Sequence, residues 1–479
     1  MGHGSSFPKP CGDSRLVKTK FGYVIGRRFI FDKLEVDAFQ GIPFAKPPVG
    51  ELRFKKPEWP VPWDDVKVAK GFAARGIQKD VHQLETLKLG KTSEDNLYLN
   101  VFTPAWSPDI GSPGFAVLVF IHGGGFICDS AVKYGDVGIC EHLCTKGVVI
   151  VTIQYRLGFL GFFTTGDEHC PGNLALWDQT LALRWIQMID ALRQLPAAEF
   201  ALPLIDKVGT IAKCCPVGPR LDFDFIPKSV GQLRKEAPPK PMLIGCSASE
   251  GLLFLGFGYG KDHSVSTIME YISELVPESE YPHTFKKLRE EILQKLVTDL
   301  QNPVEVTRAF TETLGDLFVN IALQQTILET LEARDDFDAP VYFYSYEYYN
   351  PNSFGPLSLQ WPFKDATHCT ELAYIFAVGI VWNFDFNDDD KRMLELTTKM
   401  WTNFAKYGDP NGVAELSISS VLSGEKFRWE PATLSNPQRH LAISLHSEMK
   451  DEYKKGRPLF ITQMRRSMFE SYSPRIFEP

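Results

Sequence analysis

Ala116-Val117-Leu118-Val119-Phe120-Ile121-His122-Gly123-Gly124-Gly125-Phe126 reads as an apolar strand running into a glycine turn. Six consecutive apolar residues, rich in Val, Ile and Phe, fit a strand covered on both faces of a sheet. Successive glycines directly after such a strand let backbone N–H groups converge on one point. That is how an oxyanion hole is assembled, and Gly124 and Gly125 are its candidate donors. A tight packing turn is the competing reading of three glycines, and the place just past a core strand favours the oxyanion reading.

Outward from this stretch the chain alternates strand and helix. A β-rich opening runs from Phe21 through Val36-Asp-Ala-Phe-Gln40, and strands are expected at Leu97–Phe102, Val148–Ile153, Pro241–Gly245 and Val341–Tyr346. Helical patterns occupy Leu174 to about Leu195, Val306–Ala333 and Lys391–Tyr407. Strands separated by helices predict an α/β fold with a mostly parallel central sheet flanked by helices. No linker, repeat or low-complexity tract divides the chain, so residues 20–479 are expected to form one domain behind an N-terminal tail, residues 1–19.

The 51 Lys and Arg against 59 Asp and Glu give a formal charge of −8, which argues against a dedicated nucleic-acid binder. With nine cysteines at irregular spacing in 479 residues, a disulfide framework is not expected. A reducing, cytoplasmic setting fits that usage. Cys140 and Cys144 read as one face of a helix, since no matching Cys/His pair follows to complete a metal site. No apolar run is long enough to span a bilayer, and no apolar leader stands at the start. Met1-Gly2-His3-Gly4-Ser5-Ser6 fits the pattern for myristoylation of Gly2. One such chain holds a membrane only marginally, so peripheral membrane contact needs a second signal, for which Cys11 or Lys9, Arg15, Lys18 and Lys20 are available. A chance match to the motif is the competing reading.

Several further stretches together resemble the type-B carboxylesterases, the cholinesterase-like branch of the α/β-hydrolases. They are Gly41-Ile-Pro-Phe-Ala-Lys-Pro-Pro-Val-Gly with Leu52-Arg53-Phe54, Ser93-Glu94-Asp95-Asn96-Leu97-Tyr98-Leu99-Asn100-Val101, and Tyr155-Arg156-Leu157-Gly158-Phe159. Gly172-Asn173 with Trp177-Asp178-Gln179, and Trp401-Thr-Asn-Phe-Ala-Lys-Tyr-Gly-Asp-Pro-Asn, complete the set. The resemblance implies an α/β-hydrolase fold and cleavage of small-molecule carboxylic esters through an acyl-serine, without metal or cofactor. Glu250, in Gly245-Cys-Ser-Ala-Ser-Glu250-Gly251, stands where the family has its triad acid. His368, in Ala366-Thr367-His368-Cys369-Thr370-Glu371-Leu372, stands where it has its base, although the family usually places Gly where Cys369 is. By the same resemblance Arg53 pairs with Glu94 and Arg156 with Asp178 as buried structural ion pairs. A family disulfide would join the positions of Gly76 and Asn96, both of which are replaced here.

The nucleophile breaks the pattern. The family serine sits in a Gly-x-Ser-x-Gly elbow, and the 479 residues contain no such motif. The helix through Trp177 and Trp185 runs at Gln187 straight into Met188-Ile-Asp-Ala-Leu, which resembles a helix found well after the elbow. An internal deletion at about this junction, of on the order of 80–100 residues and including the nucleophile strand with its following helix, accounts for the pattern. Ser247 lies on the acid's own turn and Cys128 lies just past the glycine run, so neither replaces the serine convincingly. The expectation is an ester-hydrolase family member without triad-dependent turnover. A non-catalytic binding or adhesion protein, or a truncated isoform, is the alternative.

Overall fold

The computed structural model describes residues 8–79, 89–108, 112, 114–166, 172–187, 218–222, 224–256, 263–297, 299–333, 339–412 and 428–472. Gly2, and the chain from Met188 to residue 217, lie outside the described residues, as do Cys170, Cys214 and Cys215.

Two sheets form. In the first, β1 (Gly12–Lys18), β2 (Tyr23–Phe31), β3 (Leu34–Pro43), β5 (Tyr98–Pro104), β7 (Val148–Ile153) and β6 (Ala116–Ile121) lie in that order, with β4 (Lys67–Val68) pairing β2. In the second, the order is β11 (Glu448–Lys450), β10 (His440–Ile443), β9 (Val341–Tyr346) and β8 (Met242–Ser247). The strands around the site are parallel: β6 pairs β7, β8 pairs β9 and β9 pairs β10 in that sense.

The architecture is α/β, but its sheets are mixed rather than mostly parallel. From β1 through β5 to β7 every neighbour is antiparallel. The cause is local: Asp32 and Lys33 alone join β2 to β3, with φ of 45° and 74°. Two consecutive positive φ angles make a hairpin turn, which returns the chain antiparallel to itself. The expected boundary after residue 19 is also corrected. Gly12–Lys18 is a strand of the main sheet, and Arg15 bonds the buried carboxylate of Asp37 at 3.0 Å. The folded unit therefore begins before residue 20.

Helices cover both faces. On one, Leu181, Ala182, Trp185 and Ile186 of the helix Leu174–Gln187 pack with Leu99, Val151 and Ile153. On the other, the helices Thr370–Phe376 and Asp388–Tyr407 join a core that takes Ile150 and Phe102 from the first sheet and Tyr344 and Leu441 from the second. Asn387 caps the longer of these, its side chain accepting from the Asp390 N–H while Asp390 accepts from the Asn387 N–H. Among the described residues, no helix is long and apolar enough to cross a membrane.

Candidate active site

The site lies where β6 and β8 end. Beyond β6 the His122 side chain is buried, stacked on the Tyr155 ring at 4.5 Å, and the Tyr155 hydroxyl donates to the His122 carbonyl at 2.7 Å. Burial pushes the His122 imidazole below its ordinary value, so it stays neutral. Gly124 and Gly125 follow with φ of 96° and 59°. A β-carbon on Gly124 would lie 2.2 Å from the Cys128 carbonyl oxygen, so this turn admits only glycine there. Among the described residues, neither the Gly124 nor the Gly125 amide donates to a backbone carbonyl.

Beyond β8 the chain turns through Ala248 and Ser249 to Glu250, which is 4% exposed. Glu250 Oε1 accepts from the Ser247 N–H at 2.5 Å, which fixes the carboxylate in its own turn. Gly251 lets the helix Pro303–Gly315 close on that turn, since a β-carbon there would stand 1.9 Å from the Thr311 carbonyl oxygen. The glycine of the Glu250-Gly251 pair is therefore a packing requirement.

His368 arrives from 118 residues further along, on the loop before the helix Thr370–Phe376. Its turn is laced to the acid's turn by backbone. The Ser249 N–H donates to the Ala366 carbonyl at 2.7 Å, and the Thr367 hydroxyl accepts from the Leu253 N–H at 2.9 Å. The result is His368 Nδ1 at 2.6 Å from Glu250 Oε2, with the imidazole side chain 44% exposed. Cys369, and then Glu250, push His368 well above its ordinary 6.5 against the opposing effect of packing. Glu250 and His368, expected from the motifs to act together, meet in the folded chain as a carboxylate and an imidazole it orients.

Two groups in the site carried no role in the sequence reading. Glu371 accepts from the Ser247 hydroxyl at 3.1 Å, and burial, followed by the charge of Glu250, raises its carboxyl to about 6. Its place in the quoted Thr370-Glu371-Leu372 stretch was its only signal. Cys369 has φ of 71°, a left-handed conformation in which glycine is at ease. Ser247 is fully buried and committed to Glu371, while the Cys128 thiol donates to the Gly124 carbonyl at 3.3 Å.

The expected ion pairs both form, with one correction. Arg156 holds Asp178 by two bonds of 2.8 and 2.7 Å, with the side chains 3% and 0% exposed. Arg53 and Glu94 also make two bonds, each of 2.6 Å, but Arg53 is 46% exposed, so this pair is not buried. At the positions of the family disulfide, a β-carbon on Gly76 would lie 2.9 Å from Asn96 Nδ2. The two positions face each other, and the Asn96 amide donates instead to the Tyr155 carbonyl at 3.2 Å.

A model of the carboxylesterase family matches residues 13–189 and 187–461. The chain belongs to the carboxylesterase family. It is similar to esterase cest-33 of Caenorhabditis elegans, 30% identical over 97% of this chain and 96% of that protein. Carboxylesterase 3 of Homo sapiens is 28% identical over 86% of this chain and 88% of its own length. Pyrethroid hydrolase Ces2a of Mus musculus is 28% identical over 79% and 80% respectively. Membership of this family brings the α/β-hydrolase fold and hydrolase descent, with carboxylic esters as the family's substrates.

Proposed function

We propose that this carboxylesterase-family chain keeps the acid–base half of an ester hydrolase and lacks its serine nucleophile, so that it does not turn esters over through an acyl-serine. The observation that carries the reading is the Glu250–His368 pair at 2.6 Å, in a chain that also keeps a glycine turn fit to hold an oxyanion and has no Gly-x-Ser-x-Gly. In this reading Glu250 orients His368, His368 is the base, and the Gly124 and Gly125 amides face the oxyanion.

Three further observations support it. The two blocks matched by the family model meet at residues 187–189, the junction at which the sequence changes register. The match to esterase cest-33 runs over 555 aligned positions against 479 residues here, so at least 76 of them carry no residue of this chain. And β6 and β8, the strands whose ends carry the glycine turn and the acid, each close the edge of a separate sheet among the described residues.

A serine triad stripped of one member loses on the order of a million-fold in turnover. Incubation with a chromogenic carboxylic ester is therefore expected to give no burst and no steady rate above buffer, and an organophosphonate is expected to leave every serine unlabelled. Stoichiometric phosphonylation of a serine in the unaltered chain would overturn the reading.

A further inference from the structure

The chain enters the helix Arg457–Tyr472 through a turn that L-residues avoid. Lys454, Lys455 and Gly456 have φ of 51°, 54° and 69°, left-handed residues in succession. Glycine is at ease there, whereas a lysine is crowded through its β-carbon. Such strain persists where the surroundings over-determine it. Both ends of this turn are anchored. Before it, the buried Tyr453 hydroxyl donates to Asn320 Oδ1 at 2.9 Å and lies 2.8 Å from the Cys246 sulfur of β8. After it, the buried Arg457 guanidinium holds Asp316 and, at 2.6 Å, Glu312. Between the anchors the Lys454 ammonium donates to the Ala248 carbonyl, 206 residues back along the chain.

Ala248 belongs to the turn that carries the acid. Its N–H donates to the Tyr346 carbonyl of β9 at 2.9 Å, so one backbone group is held by the neighbouring strand and the other by Lys454. Within the same turn the Ser247 N–H fixes Glu250 Oε1, and Oε2 is left to face His368 Nδ1 at 2.6 Å. We propose that Lys454 is a positioning residue for the acid–base pair: its ammonium locks the Ala248 carbonyl and so keeps the Glu250 carboxylate on His368. The left-handed turn is retained because it aims that side chain. The proposal rests on the assignment of Glu250 and His368 made above, and not on the absence of a serine.

Removing the ammonium has two effects on His368, and they differ in sign. Taking a positive charge from the neighbourhood of an imidazole favours its protonated form and raises its titration midpoint. Taking the Glu250 carboxylate off Nδ1 removes a negative charge and lowers it. A fall therefore reports the position of Glu250 and not the lost charge of the lysine.

The test is an NMR titration of the full chain labelled at histidine, with His368 assigned as the resonance lost in His368→Gln. In Lys454→Met the His368 midpoint is expected to fall by about one pH unit or more, the scale of one close carboxylate. Lys454→Arg keeps a donor and is expected to hold the unaltered value. His122, kept below its ordinary value by burial, is expected to titrate as before in both, which reports that the fold survives. Lys455→Gly relieves the turn without touching the Ala248 contact. It is expected to raise the urea midpoint and leave His368 unchanged, and a lower urea midpoint would count against a strained turn. A His368 midpoint that stays or rises in Lys454→Met overturns the proposal, as does an equal fall in Lys454→Arg. Glu250→Gln separates this inference from the reading beneath it. If that variant leaves His368 unmoved, Glu250 does not orient the base and both fall. If it lowers the midpoint and Lys454→Met does not, the role of Lys454 alone fails.

Discussion

Two arginine–carboxylate pairs of the same chemistry differ at the level of the residue by where they sit. Asp178 is fully buried and accepts three bonds from Arg156, two from its guanidinium and one from its backbone N–H at 3.1 Å. Asp178→Ala leaves a guanidinium buried without its charge partner, and is expected to cost about 3–5 kcal/mol in urea unfolding. Glu94→Ala, which strands an Arg53 side chain already 46% exposed, is expected to cost less than about 1 kcal/mol. Equal losses for the two variants would count against the buried-charge argument. Glu371 gives the site a pH signature. Its carboxyl is raised from 4.5 to about 6, so between those values the folded chain holds a proton that the unfolded chain has released. That contribution to stability is complete below about 4.5 and is lost as pH rises through about 6. Denaturation midpoints across this window are expected to carry the slope in the wild type and to lose that component in Glu371→Gln. Identical slopes in the two proteins would refute it.

Among the elements, β6 and β8 stand apart from their neighbours. Both are apolar, yet β6 is half-buried along its whole length and β8 over its first four residues, while all six residues of β9 and five of six in β7 are buried. A terminal strand leaves part of its N–H and C=O row unpaired, and that row opens first. Hydrogen exchange is expected to run about tenfold or more faster in β6 than in β7, and in β8 than in β9. Equal protection would mean that these edges are covered. Other elements were plain in the sequence, for identifiable reasons. Val148–Ile153 and Val341–Tyr346 form with the expected ends because the first is an unbroken β-branched run and the second is β-branched or aromatic at every position but Ser345. Gly12–Lys18 went unread because it is polar along most of its length with only Ser14 buried, and it holds its place by pairing with β2. The Val306–Ala333 pattern resolves into helices Pro303–Gly315 and Ile321–Glu332 joined by a π-type turn, a change of pitch that apolar spacing does not register.

Across the whole molecule, two sheets share one core. Phe102 and Ile150 from one side and Tyr344 and Leu441 from the other pack with Tyr374 and Met400. The helix Asp388–Tyr407 reaches both, since Trp401 meets the Tyr344 ring at 5.3 Å and Leu394 and Met400 belong to the same cluster. Restoring a family segment with Gly-x-Ser-x-Gly at the Gln187–Met188 junction is the whole-molecule form of the turnover prediction. On the proposed reading, in which Glu250 is the acid, His368 the base and the glycine turn the oxyanion site, it is expected to confer ester hydrolysis. By itself the sequence determined the family, the strand-and-helix alternation and the absence of a Gly-x-Ser-x-Gly motif, because these are written in contiguous stretches. Only the tertiary structure decided the rest. It brought Glu250 to His368 across 118 residues and separated a buried ion pair from an exposed one. It also ended one sheet at β6 and the other at β8. Contacts, burial and sheet edges depend on which segments meet in space, and residues far apart in the chain carry no local pattern that records their meeting.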